Sequence, residues 1–130
     1  KDYQQLAVIR QMVRDLDLNI KILAQTTIRE TDGLALSSRN LYLSAADRKL
    51  APLLYAEMQE TANQINKGTP VDAALASAKT RLTKAGFGEI DYFDLRHSDS
   101  LQPAETLAPN CRIFAAIRLG KTRLIDNYAL

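Results

Sequence analysis

The sequence has very few of the residues that disulfides and soft-metal sites require. Cys111 is the only cysteine and His97 the only histidine among the 130 residues. One thiol cannot form an internal disulfide, and it does not make a metal site. Because Cys111 begins an apolar run that ends at Ile117, we expect a buried structural thiol. Low cysteine use suits a reducing compartment, so we expect a cytoplasmic protein without a metal site in this chain.

Long apolar runs and a strong charge of one sign are also missing. No stretch approaches the length of a membrane span, and no secretory signal is present. The 17 basic and 15 acidic residues leave a net charge of only +2, with 6% aromatic residues and no basic stripe. A small nucleic-acid-binding α+β domain is therefore disfavoured. We expect neither a membrane nor a nucleic acid as partner.

The first part of the chain is typical of the end of an α/β domain. Leu6, Ile9, Val13 and Leu16 are spaced as on one face of a helix over residues 3–16, with Asp2 as a candidate N-cap. Residues 19–24 follow as a short alternating strand. One strand cannot form a sheet, so we expect its partners upstream of Lys1. The absence of an initiating methionine supports the same interpretation, that the chain is a piece of a longer protein.

The remainder predicts a small α+β unit of two helices packed on a three-stranded antiparallel sheet. Ser44 and Asp47 form a capping-box-like start, Pro52 predicts a break, and the main helix is expected over residues 52–67. A second helix is expected between Pro70 and Gly86. Strands are expected at 90–96, 112–119 and 122–126, with Gly120-Lys121 as a hairpin turn. We expect two parts: residues 1–43, which end a nucleotide-binding domain, and residues 44–130, the carboxyl-terminal domain.

The loop from Leu36 to Asn40 is the most informative local feature. Two hydroxyls (Ser37 and Ser38), successive backbone amides and the guanidinium of Arg39 could surround a polyphosphate, because arginine presents a planar fork of donors that fits phosphate oxygens. The alternative is a loop rich in capping residues that carries a surface arginine. The sequence contains no glycine-rich phosphate loop of the Walker or dinucleotide type.

Three further segments have both a functional and a structural interpretation. In Lys1 to Gln5, the lysine could meet a phosphate, Asp2 could accept from ribose hydroxyls and Gln5 could bind a small polar acid; the alternative is a frayed start with a helix cap. Asp126 and Asn127 could form a substrate site, but a turn is favoured. His97 stands beside Ser98 and Asp99, but residues adjacent in sequence rarely assemble a catalytic triad, and a surface histidine is favoured.

Taken in order, these segments resemble the pantothenate synthetases, or pantoate–β-alanine ligases. Lys1-Asp2-Tyr3-Gln4-Gln5 is similar to the family's K-D-(F/Y)-Q-Q segment. Residues 28–30, then 32–40, then Tyr42-Leu43 are similar to its central signature, and residues 122–127 are similar to its ending. The resemblance covers essentially the whole chain, and residues 32–43 are its most specific part.

The resemblance implies an enzyme that uses ATP and Mg²⁺ to join pantoate to β-alanine through pantoyl adenylate. It implies that Ser37, Ser38 and Arg39 hold phosphates, with Leu36 at the start of the loop. It also implies that Ile28 meets adenine through its backbone, that Lys1 and Asp2 contact the nucleotide, and that Gln5 binds pantoate. The main catalytic residues would lie upstream of Lys1, so this chain alone is expected to be inactive. The resemblance also allows a homodimer of the complete enzyme.

One local departure from the family is Thr26, which stands where the family usually has proline. Proline would stiffen the approach to the backbone that contacts adenine. A non-catalytic ATP-binding or interaction module is the alternative function, and the residues that precede Lys1 would discriminate between the two.

Overall fold

The helices all lie in the first two-thirds of the chain and the strands in the last third. The computed structural model describes residues 1–130. Its α-helices are α1 (Tyr3–Asp15), α2 (Ala45–Leu50), α3 (Leu53–Asn66) and α4 (Val71–Ala85), and a 3-10 helix spans Ser38–Tyr42. The strands are β1 (Ile90–His97), β2 (Cys111–Leu119) and β3 (Thr122–Ala129). None of the helices is both long and apolar enough to cross a membrane.

The helix boundaries lie where the sequence predicts them. The Ser44 hydroxyl accepts a hydrogen bond from the Asp47 amide at 3.1 Å and caps α2. Pro52 separates α2 from α3, because proline cannot donate the backbone hydrogen bond that would continue the helix. Gly86 ends α4 with φ of 109°, a left-handed conformation that glycine adopts without steric cost.

The sheet has the order β1-β2-β3, with both pairs antiparallel and a tight turn at Gly120-Lys121. One face packs against α3 and α4 around fully buried side chains that include Met58, Leu82 and Phe93. The predicted fold class, α+β with two helices on a three-stranded antiparallel sheet, is therefore confirmed. Cys111 is 2% exposed within this core, as expected for a structural thiol.

Helix α1 covers part of the opposite face of the sheet. The Tyr3 ring meets Phe114 edge to face, with 5.6 Å between the ring centroids, and the Arg112 guanidinium lies 4.4 Å from the Tyr3 ring centroid. The Tyr92 hydroxyl donates to Gln4 Oε1 at 3.3 Å. Val13 is the only buried residue of α1. The contacts with the sheet described above come from Tyr3 and Gln4 in the first turn of the helix, whereas Val13 lies in its last turn.

The strand predicted at residues 19–24 does not form. This segment has no β-pairing, and Ile20 and Leu23 are 57% and 70% exposed. A strand is stabilised by hydrogen bonds to a neighbouring strand, and no strand lies beside residues 19–24.

The favoured turn at Asp126-Asn127 was also wrong. Strand β3 continues through both residues to Ala129, and they are only 6% and 7% exposed. The sequence misled because two polar residues after an apolar run are usually a turn signal. Here both side chains are satisfied by partners from distant parts of the chain, which sequence spacing does not indicate.

Candidate functional site

The segment from Ile28 to Leu36 folds as a small hairpin that presents the serine-arginine loop. The Glu30 amide donates to the Leu34 carbonyl at 2.8 Å, and the Leu36 amide donates to the Ile28 carbonyl at 2.9 Å. Gly33, with φ of 93°, supplies the left-handed conformation that this turn requires. Asp32 and Gly33 therefore lie in a tight turn, and the hairpin is ordered by its own backbone hydrogen bonds.

Side chains fix the hairpin to the rest of the domain. Arg48 of α2 forms ion pairs with Glu30 and Asp32 at 2.7 and 2.6 Å. The hydrogen bond from Arg48 holds the pKa of the Asp32 carboxyl below its usual value. The buried side chain of Leu34 joins the main core. Asn40 closes the arrangement by donating to Glu30 and to the Ala35 carbonyl, both at 3.1 Å.

A cleft lies where this loop faces the start of the chain and the edge of the sheet. We call it the loop cleft. Its polar lining comes from three separate segments, and its floor includes Leu34 and Leu54; the polar residues are Lys1, Ser37, Arg39, Asn40, Arg123 and Asp126. Ser37 caps the 3-10 helix by accepting from the Arg39 amide at 3.2 Å, which leaves its hydroxyl hydrogen free to donate.

The electrostatics of the loop cleft favour an anion. Burial lowers the pKa of the Lys1 ammonium, the Asp126 and Asp2 carboxylates offset part of this effect, and the nearby Arg39 guanidinium lowers the pKa further. Neither Lys1 nor Arg39 forms an ion pair within the chain, whereas Asp126 is paired with Arg29. A phosphate between the two cations would relieve their repulsion and receive charge-assisted hydrogen bonds.

A second, wider groove adjoins the loop cleft at Lys1. It is bounded by the first turn of α1, the segment before the hairpin and the end of β3, with Asp2, Tyr3, Thr26, Thr27 and Arg112 among its lining residues. We call it the adjoining groove. Lys1 and Tyr55 line both, so a ligand in the adjoining groove would lie beside the cations of the loop cleft.

Comparison with known proteins decides the family. The model of the family described as pantoate–β-alanine ligase matches residues 1–129. The chain belongs to this family. It is 56% identical over 131 aligned residues to the pantothenate synthetase of Hahella chejuensis and 47% identical to that of Rhodopseudomonas palustris. In both cases the match covers 100% of this chain but 46% of the relative, so the chain spans about half the length of these relatives.

Solved structures of the family share the fold. The pantothenate synthetase of Thermus thermophilus matches with a TM-score of 0.91 and 41% identity over 98% of this chain and 46% of that one. The pantoate–β-alanine ligase of Francisella tularensis matches with a TM-score of 0.70 and 32% identity over 99% of this chain and 41% of that one. That second protein was crystallised in complex with β,γ-ATP and β-alanine.

Only some of the residues predicted to contact the nucleotide lie together in the structure. Lys1, Ser37 and Arg39 line the loop cleft, although Lys1 and Arg39 are 38 positions apart. Asp2 lies in the adjoining groove, where its carboxylate also caps α1 by accepting from the Gln5 amide at 3.0 Å. The N-cap interpretation of Asp2 is thus confirmed, and it leaves the other carboxylate oxygen free.

The other candidate residues lie outside the loop cleft. Ile28 and Leu36 have side chains that are 70% and 57% exposed at the base of the hairpin. The Ile28 carbonyl accepts from Leu36, whereas its N–H has no partner in the chain and could meet a ligand. Ser38 is the exposed first residue of the 3-10 helix. Gln5 is exposed on α1 and lines neither the cleft nor the groove.

Sequence analysis assigned no separate role to Arg29 or Arg123, and it offered Asp126 only as part of a possible substrate site. Arg123 lines the loop cleft beside Arg39, and Arg29 and Asp126 form an ion pair at its edge. Arg123 and Asp126 belong to the ending that resembles the family, but an arginine near the start of an edge strand gives no separate signal of function. The pairing of Arg29 with Asp126 spans 97 positions and has no short-range signature.

The described residues offer no resident metal site. No group of three or more histidine, cysteine, aspartate or glutamate side chains is placed to hold a metal ion. Asp126, the one carboxylate that lines the loop cleft, has both oxygens engaged by Arg29. The donor set of this chain therefore does not fit Mg²⁺, which prefers carboxylate, phosphate and water oxygens.

Proposed function

We propose that this chain is the carboxyl-terminal part of a pantoate–β-alanine ligase and holds the phosphates of ATP during formation of pantoyl adenylate. The observation that carries the proposal is the convergence of Lys1, Ser37 and Arg39 on one cleft in a chain that the family model matches from end to end. Convergent cations and a free hydroxyl are what a polyphosphate requires. The family membership supplies the reaction.

The proposed chemistry proceeds in two steps. A carboxylate oxygen of pantoate forms a bond to the α-phosphorus of ATP, and the bond to pyrophosphate breaks. The amine of β-alanine then attacks the carbonyl carbon of the adenylate, loses a proton, and expels AMP. A free carboxylate is a poor electrophile, so activation as an acyl phosphate anhydride makes the second bond accessible.

The residues of this chain would act mainly in the first step. As pyrophosphate departs, negative charge shifts toward the β-phosphate, and preorganised donors at that position lower the barrier. Arg39 and Lys1 supply fixed positive charge, and Ser37 supplies a hydroxyl donor. Ser38 would add a second hydroxyl if the polyphosphate extends over the exposed start of the 3-10 helix. Any Mg²⁺ would be held by phosphate oxygens and by residues outside this chain.

The remaining contacts follow from the positions of the other candidates. The free N–H of Ile28 would meet a ring nitrogen of adenine, and the exposed side chains of Ile28 and Leu36 would lose water against the base. Asp2 would accept from the ribose hydroxyls through the adjoining groove. Gln5 would bind pantoate on the side of α1 that faces away from the sheet.

An exposed apolar surface supports a longer protein. Six large apolar side chains on α1 and the segment after it are between 43% and 70% exposed; they are Val8, Met12, Leu16, Leu18, Ile20 and Leu23. Exposed large apolar side chains that follow one another along a chain in this number often mark an interface. We propose that residues 1–43 complete an upstream nucleotide-binding domain, that 44–130 form the second domain, and that the complete enzyme is cytoplasmic and homodimeric.

The experiment is to exchange this chain into a relative. The matching 46% of the Hahella chejuensis enzyme is replaced by residues 1–130, and the same enzyme is also truncated at the junction. We expect pantothenate and AMP in equal amounts from the chimera when ATP, pantoate and β-alanine are supplied. Neither the truncated enzyme nor this chain alone should form product.

Two outcomes would overturn the proposal. Turnover by the chain alone would show that the upstream part is dispensable. A folded chimera that binds ATP without forming pantothenate would favour the non-catalytic ATP-binding module. The intact Hahella chejuensis enzyme, assayed in parallel, gives the rate to which the chimera is compared.

A further inference from the structure

Two adjacent residues of the edge strand β3 contact both cation-bearing segments of the loop cleft. Asp126 binds Arg29 at the base of the hairpin, and Asn127 binds the backbone of Lys1. These two residues contribute no atom to the chemistry described above. Their contacts nevertheless anchor the two chain segments that carry Lys1 and Arg39.

The contact between Asp126 and Arg29 is bidentate and buried. Arg29 donates from Nη1 to Oδ2 at 2.6 Å and from Nη2 to Oδ1 at 2.9 Å. The side chains are 4% exposed at Asp126 and 16% at Arg29. Arg29 also donates to the Gly33 carbonyl at 3.1 Å, and its guanidinium lies 3.5 Å from the centroid of the Tyr55 ring. Three of the five N–H donors of the guanidinium are thus engaged within the chain, and the Tyr55 ring lies against one of its faces.

The contact between Asn127 and Lys1 completes the arrangement. Asn127 Nδ2 donates to the Lys1 carbonyl at 2.6 Å, and its Oδ1 accepts from Arg112 at 2.6 Å. The backbone N–H of Asn127 donates to Asp126 Oδ1 at 2.7 Å, so the two residues are also joined to each other. The Lys1 ammonium lies 3.4 Å from the Ile125 carbonyl on the same strand. One short stretch of β3 therefore sets the position of both segments.

Stability alone is a weak reason for such a pair. A buried ion pair often contributes little net stability, because removing two charges from water costs about as much as their attraction returns. What a bidentate pair does provide is a fixed geometry. Here that geometry determines how far the hairpin, and the Arg39 loop that follows it, can move relative to Lys1.

We propose that Asp126 and Asn127 are positioning residues for ATP, and that they set the spacing between Lys1 and Arg39 through Arg29 and the Lys1 backbone. This proposal rests on the proposed function. Asp126→Asn keeps the shape of the side chain but leaves the Arg29 charge without its anion. The hairpin loses its bidentate anchor, so Arg39, on the loop that follows the hairpin, should be displaced relative to Lys1.

The test uses the chimera with Asp126→Asn, and Asp94→Asn as the matched control. Asp94 is also an ion-paired carboxylate of the sheet, 2.9 Å from Arg96, but it touches neither the hairpin nor Lys1. We expect Asp126→Asn to raise KM for ATP in pyrophosphate release by about tenfold to a hundredfold, the range that misplacement of a binding group produces. The reaction of supplied pantoyl adenylate with β-alanine should stay within about twofold, because the displaced groups bind phosphates that have already left.

A merely structural role predicts a different pattern. Both half-reactions would then fall together, in proportion to the folded fraction measured by circular dichroism, and the proposal would be wrong. If Asp126→Asn does not fold, Arg29→Lys replaces it, because it keeps the charge and removes only the fork. The double variant Arg29→Gln with Asp126→Asn should bind ATP no worse than Asp126→Asn alone, since both changes break the same contact.

Failure of the proposed function can be separated from failure of this inference. If the unmodified chimera makes no pantothenate, the proposed function is wrong. Amide hydrogen exchange in residues 36–40 of the chain itself then tests whether Asp126 anchors this loop. Exchange should then be faster in Asp126→Asn than in Asp94→Asn. Equal exchange in the two variants would overturn the role of Asp126 as an anchor.

Discussion

Replacing Arg39 with alanine in the chimera is expected to slow pyrophosphate release from ATP and pantoate strongly. Loss of one preorganised donor to a developing anion costs on the order of 2–4 kcal/mol of transition-state stabilisation. Arg39 lines the loop cleft, forms no ion pair within the chain and is exposed, so its guanidinium is available to a ligand. The step that joins pantoyl adenylate to β-alanine should be affected much less, because the outer phosphates are gone by then.

Two further variants test whether this loss is specific to the guanidinium of Arg39. Arg118→Ala removes another exposed arginine, which pairs at 3.5 Å with Glu89 and does not line the loop cleft, and it should leave both steps unchanged. Arg39→Lys should recover only part of the loss, because an ammonium lacks the planar fork. Equal losses in both steps for Arg39→Ala, or no loss in either, would mean that Arg39 is a surface residue of a well-capped loop.

Truncation of Phe93 is expected to have the largest effect on stability. Its ring is fully buried in the core between β1 and the helices. Phe93→Ala removes apolar contacts and leaves a cavity, which together cost about 3–5 kcal/mol. Since domains of this size are stable by only about 5–15 kcal/mol, Phe93→Ala should lose a large part of the free energy of unfolding and unfold at a clearly lower urea concentration.

Urea unfolding of the 130-residue chain, followed by circular dichroism, measures this effect. Leu107→Ala is the matched control, because it removes a large apolar side chain that is 45% exposed in the loop before β2. Its midpoint should barely change. A Phe93→Ala midpoint as high as that of Leu107→Ala would contradict the assignment of the core.

Local chemistry explains why most of the fold could be predicted. The helix limits at Ser44, Pro52 and Gly86, and the hairpin turn at Gly120-Lys121, depend on interactions within a few residues. Capping hydroxyls, the missing proline donor and the conformational freedom of glycine act at these positions whatever lies elsewhere in the chain.

Long-range interactions explain the rest. Residues 19–24 have a strand pattern, but a strand needs a partner, and the pattern carries no information on whether one is present. Asp126 and Asn127 have a turn signal, and the contacts that stabilise them within a strand are not visible locally, because their partners Arg29 and Lys1 lie 97 and 126 positions away. The chemistry of Ser37 and Arg39 made them candidates for phosphate binding, but only the resemblance to a family favoured that role, since their spacing also fits an ordinary capped loop.

The most direct test of the account follows an oxygen atom through the reaction. The chimera is supplied with pantoate labelled with ¹⁸O in both carboxylate oxygens, together with ATP and β-alanine, and the AMP and pantothenate are analysed by mass spectrometry. If pantoate is activated as the adenylate, each AMP carries one labelled oxygen on its phosphate and each pantothenate keeps the other in its amide carbonyl. Unlabelled AMP alongside newly formed pantothenate would contradict attack on the α-phosphorus, and with it the role assigned to the loop cleft.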